Sequence, residues 1–169
     1  MALLNILCYP DPRLHTVAKP VKEIKTETLT LIENMIETMY ESNGIGLAAT
    51  QVDVHERIIV MDVSDERDSP MVLINPEIIW AHPDRVKGEE GCLSVPNTYD
   101  SVERAIEVKV KALDKSGTLQ EIHATDLLAV CIQHEMDHLL GKVFVDYLSP
   151  LKRNRIKTKM HKLQREVNH

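Results

Sequence analysis

Aromatic residues are scarce: one Trp, one Phe and four Tyr make up 4% of the 169-residue chain. That scarcity argues against a stacking platform for single-stranded nucleic acid and calls for an aliphatic core. Cysteine is sparse too. Cys8, Cys92 and Cys131 cannot all pair, and the N-terminal MALLNILCYPDPR lacks the basic-then-apolar layout of a secretory signal, so a reducing, cytoplasmic setting is expected. No apolar run approaches the roughly 20 residues a membrane span needs, and no membrane partner is expected. Repeats and low-complexity tracts are missing as well. The breaks at 10–12, 64–70 and 82–88 are too short for domain linkers and read as surface loops. With 43% hydrophobic and 27% charged residues, residues 1–169 are expected to form a single domain.

The net charge is −6 but unevenly spread. Seven bases (Lys152, Arg153, Arg155, Lys157, Lys159, Lys162 and Arg165) face one acid, Glu166, over 148–169. A basic end on an acidic body is either a solvated helix face or a contact for a polyanion such as RNA, and the solvated face is the simpler reading.

Leu29, Ile32, Ile36 and Met39 recur at helical spacing over 26–41, with Asn43-Gly44 as a stop. Residues 57–63 and 71–74 are β-branched runs, the second ending at Asn75-Pro76. Ile106, Val108, Val110 and Ala112 alternate with polar residues, and Lys115-Ser116-Gly117 turns that strand into a hairpin with 119–123. Thr125 or Asp126 caps a helix running to Leu140, stopped by Gly141, and a last basic helix covers about 150–167. The order predicts an α+β fold.

Within the helix after Asp126 the row Gln133-His134-Glu135-Met136-Asp137-His138 contains H-E-x-x-H. Two histidines four apart share one helical face and can converge on a divalent metal, with Glu135 beside them to take a proton from water. Chance occurrence on a solvated helix is the alternative. The downstream candidates for a third ligand are poor: Asp146 is only eight residues past His138, and His161, Glu166 and His169 sit in the basic tail. Cys131 shares the histidine face, but its Cα lies roughly 10.5 Å along the helix from that of His138, beyond what one metal spans, so it reads as packing or pocket lining. Cys8 reads as a small buried hydrophobe. Cys92, in Glu89-Glu90-Gly91-Cys92-Leu93-Ser94, remains, and a Cys-His-His set leaves a fourth position open for water.

Three separated stretches, Gly44-Ile45-Gly46-Leu47-Ala48-Ala49-Thr50-Gln51, Glu90-Gly91-Cys92-Leu93-Ser94 and Gln133-His134-Glu135-Met136-Asp137-His138-Leu139-Leu140-Gly141, together resemble the peptide deformylases in motif, order and spacing, over nearly the whole chain. The resemblance implies antiparallel sheets packed around a central helix carrying H-E-x-x-H, with a C-terminal helix. It implies that Cys92, His134 and His138 hold one divalent metal, Fe(II) in the cell and replaceable by Ni(II), Co(II) or Zn(II). Glu135 then serves as general base and acid while water on the metal attacks the formyl carbon of an N-formylmethionyl nascent peptide, and formate leaves. The Gln51 amide and the Leu93 backbone N–H would steady the oxyanion, with an ordinary loop amide as the lesser alternative for Gln51.

By the same resemblance the peptide pairs with the Gly44–Gly46 segment as an added strand, and its methionine enters a pocket of Ile45, Leu127, Val130, Cys131 and the edge of His134. Core packing is the plainer reading of each. Gly46 and Gly91 are counted with the substrate-binding set, as is Tyr99, which stands where the bacterial pattern often has Arg; Gly88 replaces a larger aliphatic. Arg104 is either a partner for Glu90 behind the metal or a plain surface base. The basic helix is expected to dock near the ribosomal exit tunnel; no DNA partner is expected. An H-E-x-x-H endoprotease and an RNA-binding module are the rival readings.

Overall fold

The computed structural model describes residues 2–167. Its elements are α1 (Thr26–Glu41), β1 (Gly46–Ala48), β2 (Ile58–Met61), β3 (Met71–Ala81), β4 (Arg85–Cys92), β5 (Val95–Ala105), β6 (Glu107–Leu113), β7 (Leu119–Thr125), α2 (Asp126–Leu139) and α3 (Pro150–Val167), with short 3-10 turns at Pro12–His15, Ala49–Val52 and Phe144–Tyr147. The α+β expectation holds, with antiparallel sheets, the H-E-x-x-H helix and the C-terminal helix all in place. Five strands form an antiparallel sheet in the order β1-β2-β3-β6-β7, and β4 and β5 form a separate two-stranded sheet. No helix among the described residues is long and apolar enough to cross a membrane.

The core is aliphatic, as the composition requires. β2 is buried on both faces: Ile58 and Val60 join the α1 cluster, while Ile59 and Met61 join Val108, Val110, Ile132 and Leu139 of the α2 cluster. A strand covered on both sides shows an unbroken β-branched run rather than alternation. A third cluster holds Leu14, Val95, Val102 and the single Phe, Phe144, under α3.

Several sequence expectations need correction. α1 buries Thr28, Ile32, Met35 and Met39, so Leu29 lies outside the core face; two stripes at helical spacing overlap there, and only tertiary contact chooses between them. Asn43, not Gly44, takes the left-handed φ of 59° after that helix. Thr125 occupies the N-cap of α2 without a side-chain capping bond. β3 does not stop at Asn75-Pro76. Its register slips between Ile74 and Glu77, which accommodates the missing proline N–H, and the Asn75 side chain bonds both the N–H and the carbonyl of Val21.

The segment 82–88 is not a loop throughout, since β4 begins at Arg85. Arg85, Lys87, Gly88 and Glu89 are all exposed, so the strand carries no two-residue hydrophobic period to reveal it. Cys8 is half-buried, its thiol near the Ile6 carbonyl at 3.7 Å. In α3, Ile156 and Met160 are buried and Leu163 packs beside them, but Leu151 is 63% exposed.

Candidate active site

α2 presents His134, Glu135 and His138 to the interior, where all three are buried. Across from them β4 ends in a bulge between Gly91 and Cys92 that brings the Cys92 sulfur to 3.3 Å from His138 Nε2, which is 3.3 Å from His134 Nε2. The three ligand atoms lie within 4.8 Å of one another. Cys131 is outside that group; its sulfur faces the Ile45 carbonyl at 3.8 Å. A sulfur with two imidazole nitrogens suits a borderline-soft divalent ion, and burial holds His138 well below the usual imidazole range, in the neutral form a ligand must have.

The outer nitrogen of His134 is fixed as a metal-binding histidine requires: its Nδ1 lies 2.9 Å from Glu90 Oε1, so Nε2 is left for an ion. Arg104 clamps Glu90 from behind with bonds of 2.8 and 2.9 Å and reaches on to Asp137, which also accepts from the Tyr147 hydroxyl at 2.8 Å. Burial pushes the Glu90 carboxyl up, but bonds from Arg104 and His134 outweigh it and hold it at about 2. The surface-base reading of Arg104 is thereby overturned, since its side chain is 5% exposed.

Glu135 lies on the same helix with the opposite electrostatics. Burial raises its carboxyl to about 7, and its Oε1 is buried without a partner. Gly46 explains the fit, because a Cβ there would come within 2.4 Å of Glu135 Oε2 and 2.9 Å of the Cys131 sulfur. An open cleft of about 460 Å³ ends at these groups, lined among others by Ile45, Gly46, Gly91, Leu93, Tyr99, Leu127, Val130, Cys131, His134 and Glu135. Among the described residues β1 pairs only with β2, so its other edge is free from Gly46 on, and Gly44, Ile45 and Gly46 line the cleft there. Tyr99 is 66% exposed at the rim and packs on Gly91, where a Cβ would meet its ring at 2.5 Å.

Gln51 is not part of the cleft wall. Its Oε1 accepts from Ala48 N–H at 2.9 Å, and its Nε2 donates to Ser94 Oγ at 3.0 Å and lies 3.4 Å from the Cys92 sulfur.

Residues 3–154 match the family model described as polypeptide deformylase. The chain belongs to the polypeptide deformylase family. It is 63% identical over 166 residues to peptide deformylase 1 of Ralstonia nicotianae, covering 98% of each chain, and 59% identical to a peptide deformylase of Neisseria meningitidis, covering 99% of each. Among solved structures, a peptide deformylase from Legionella pneumophila is similar at 47% identity and TM-score 0.95, covering 99% of both chains. One from Ehrlichia chaffeensis in complex with actinonin is similar at 41% and TM-score 0.95, covering 98% of this chain and 99% of that one.

As a member of this deformylase family the chain is a hydrolase. Sequence reasoning passed over Ser94 as partner of Gln51, and Asp137 and Tyr147 as the outer end of the Arg104 network. Asp137 stands inside the quoted motif, so a buried charge partner for Arg104 was within reach; Tyr147 carried no local signal.

Proposed function

We propose that the whole chain acts as one catalytic domain that removes the N-formyl group from N-formylmethionyl nascent peptides and releases formate. The observation that carries this reading is the meeting of Cys92, His134 and His138 beside the unpartnered Glu135 carboxylate at the end of a cleft. Cys92, His134 and His138 would hold one divalent metal, Fe(II) in the cell and Ni(II), Co(II) or Zn(II) as substitutes; when bound, such an ion supplies a Lewis acid that acidifies water and polarises the formyl carbonyl.

This chain's residues do the rest. Glu135 takes the proton of the attacking water and returns it to the departing amine, so that formate and a free amino terminus leave. Gln51 and the Leu93 backbone N–H lie beside the sulfur ligand and on the cleft wall respectively, and serve as oxyanion donors; for Gln51 the donor is the second N–H of Nε2, the one that faces the Cys92 sulfur and is not given to Ser94. The Gly44–Gly46 segment takes the peptide main chain as an added strand beside β1, and Ile45, Leu127, Val130 and Cys131 receive the methionine side chain. Gly91 and Tyr99 flank the peptide residues beyond that methionine.

The deciding experiment measures formate from a formyl-Met-Ala-Ser peptide beside cleavage of an unblocked protein, with metal analysis of anaerobically purified enzyme. Formate release without protein cleavage is expected; cleavage of the unblocked protein favours the endoprotease. The cytoplasm is the proposed setting. Docking of α3 at the ribosome is also proposed. Lys152 and Lys159 are taken up by Asp100 and the Asn97 carbonyl, while truncation would uncover Phe144 and Val95. Charge removal at Arg155, Lys157, Lys162 and Arg165 is therefore the cleaner test, expected to abolish low-salt co-sedimentation with ribosomes while sparing peptide activity.

A further inference from the structure

We infer that Arg67 is a positioning residue for the substrate strand, locking the backbone of Gly44–Gly46 at the geometry an extended peptide requires. The inference rests on the proposed deformylation of a strand-bound peptide. Arg67 is on the loop after β2, with a left-handed φ of 55°, and is partly buried among exposed neighbours at 65, 66 and 68–70. That conformation is unfavourable for a side chain with a Cβ and here folds the guanidinium back onto the body.

Its Nη2 donates to the Gly44 carbonyl at 2.8 Å, and its guanidinium carbon sits 5.2 Å from the centre of the Tyr40 ring. The Tyr40 hydroxyl donates to Asp62 Oδ2 at 2.6 Å, and the Asp62 N–H donates to the Ile45 carbonyl at 2.8 Å. Two successive carbonyls of the cleft wall are thus held, Gly44 by the Arg67 side chain and Ile45 by the main-chain N–H of Asp62, whose carboxylate in turn fixes the tyrosine on which Arg67 rests. The circuit is internally secured: Ser64 and Ser69 also bond Asp62, and burial together with Asp62 pushes the Tyr40 hydroxyl up to about 12, so it remains a donor.

The free face of Gly44 is equally constrained. A Cβ there would lie 2.6 Å from Leu93 Cδ1, so Gly44 sits between the Arg67 guanidinium and the residue at the tip of the β4–β5 turn. A shift of Gly44 therefore moves both walls that flank the bound main chain. The circuit's side chains, Arg67, Tyr40 and Asp62, are none of the groups assigned to the reacting atoms, those groups being Cys92, His134, Glu135, His138, Gln51 and the Leu93 N–H. Its loss should weaken binding of extended peptides and leave the chemical step alone, because an added strand depends on register along its whole length.

The test compares wild type, Arg67→Met and Arg67→Lys on formyl-Met-Ala-Ser and on formyl-methionine amide, with Tm measured on each. Arg67→Met retains the apolar stem over Tyr40 and removes the donors. For the tripeptide it should raise KM about fivefold with kcat within about twofold, and for the amide change KM less than about twofold, a lost charge-assisted bond setting the upper bound. Arg67→Lys should restore part of the loss, having one donor group without the planar stack. A fall in Tm with unchanged KM would show a structural role only, and a fall in kcat with unchanged KM would place the residue in the chemistry; either overturns the inference, as does an equal KM change on both substrates. If the wild type itself releases no formate, the functional reading fails and not the latch alone.

Discussion

The five-stranded sheet and the β4–β5 hairpin both pack on α2, with opposite chemistry. The sheet meets the helix through Ile59, Met61, Val108 and Val110 against Ile132, Met136 and Leu139. The hairpin meets it through Glu90, Cys92 and Arg104 against His134, Asp137 and His138. Apolar contacts have no direction, so that side should absorb a lost methyl by local relaxation. Charged hydrogen bonds have direction and leave a buried ion behind when one partner goes, so the hairpin side should tolerate almost nothing.

Four sets of substitutions probe that contrast, beginning with the site. Cys92→Ala should lose bound metal and all formate release, whereas Cys131→Ala should keep the metal; metal-to-protein ratios by atomic emission decide it. Glu135→Gln should keep the metal and lose about 10²–10⁴-fold in turnover, as removal of a general base does. Near-normal turnover would mean another group moves the proton.

Arg104→Met should cost about 3–5 kcal/mol in urea denaturation, because Glu90 stays buried, and Asp137 half-buried, without their cation. Ile59→Val in the sheet should cost only about 0.5–1.5 kcal/mol. Equal costs would erase the distinction between the two regions.

Asp62 tests whether the sheet side is as apolar as the contrast implies. Burial pushes its carboxyl up, but bonds from Ser64, Tyr40 and Ser69 outweigh this and hold it at about 2, below the ordinary 3.8. A depressed folded-state value stabilises the protein above pH 3.8, and that contribution is lost as pH falls toward about 2. Asp62→Asn should therefore lower the urea midpoint at neutral pH and flatten its decline through that window; an unaltered decline would mean that other carboxylates set the acid limit.

The smallest expected effect is at Gly88, in β4, where a Cβ would meet nothing within 4 Å. Gly88→Ala should leave activity unchanged and stabilise by at most about 1 kcal/mol, through the reduced freedom of the unfolded chain. Thermal unfolding suffices to read it, and a destabilisation would show that even the hairpin's exposed end is closely fitted.

Legibility in the sequence obeyed the same divide. The spans of α1 and α3 emerged at the observed residues, and α2 within one residue of its end, because helix-period patterns and stop signals are local. β6 and β7 emerged from alternation and a turn. β4 and β5 did not, since a two-stranded sheet with charged, exposed positions along β4 has no apolar period. Cys92 was reachable by eliminating Cys131 on distance, and the family resemblance added Gln51 and Leu93. The occupied amide of Gln51 was not foreseeable, because its Ser94 partner is 43 positions away.

The order of amino acids was therefore enough for whatever repeats at short range: three helices, an aliphatic core, a pair of histidines one turn apart, and motifs specific enough to name a family. Tertiary contact was needed to settle which face of α1 is buried, that Arg104 holds Glu90 and Asp137 together behind His134, that Tyr99 covers Gly91, and that Arg67 reaches the Gly44 carbonyl. Those contacts join residues far apart in the chain through directional polar bonds and close packing. Such bonds depend on the relative placement of whole elements, which no local period encodes.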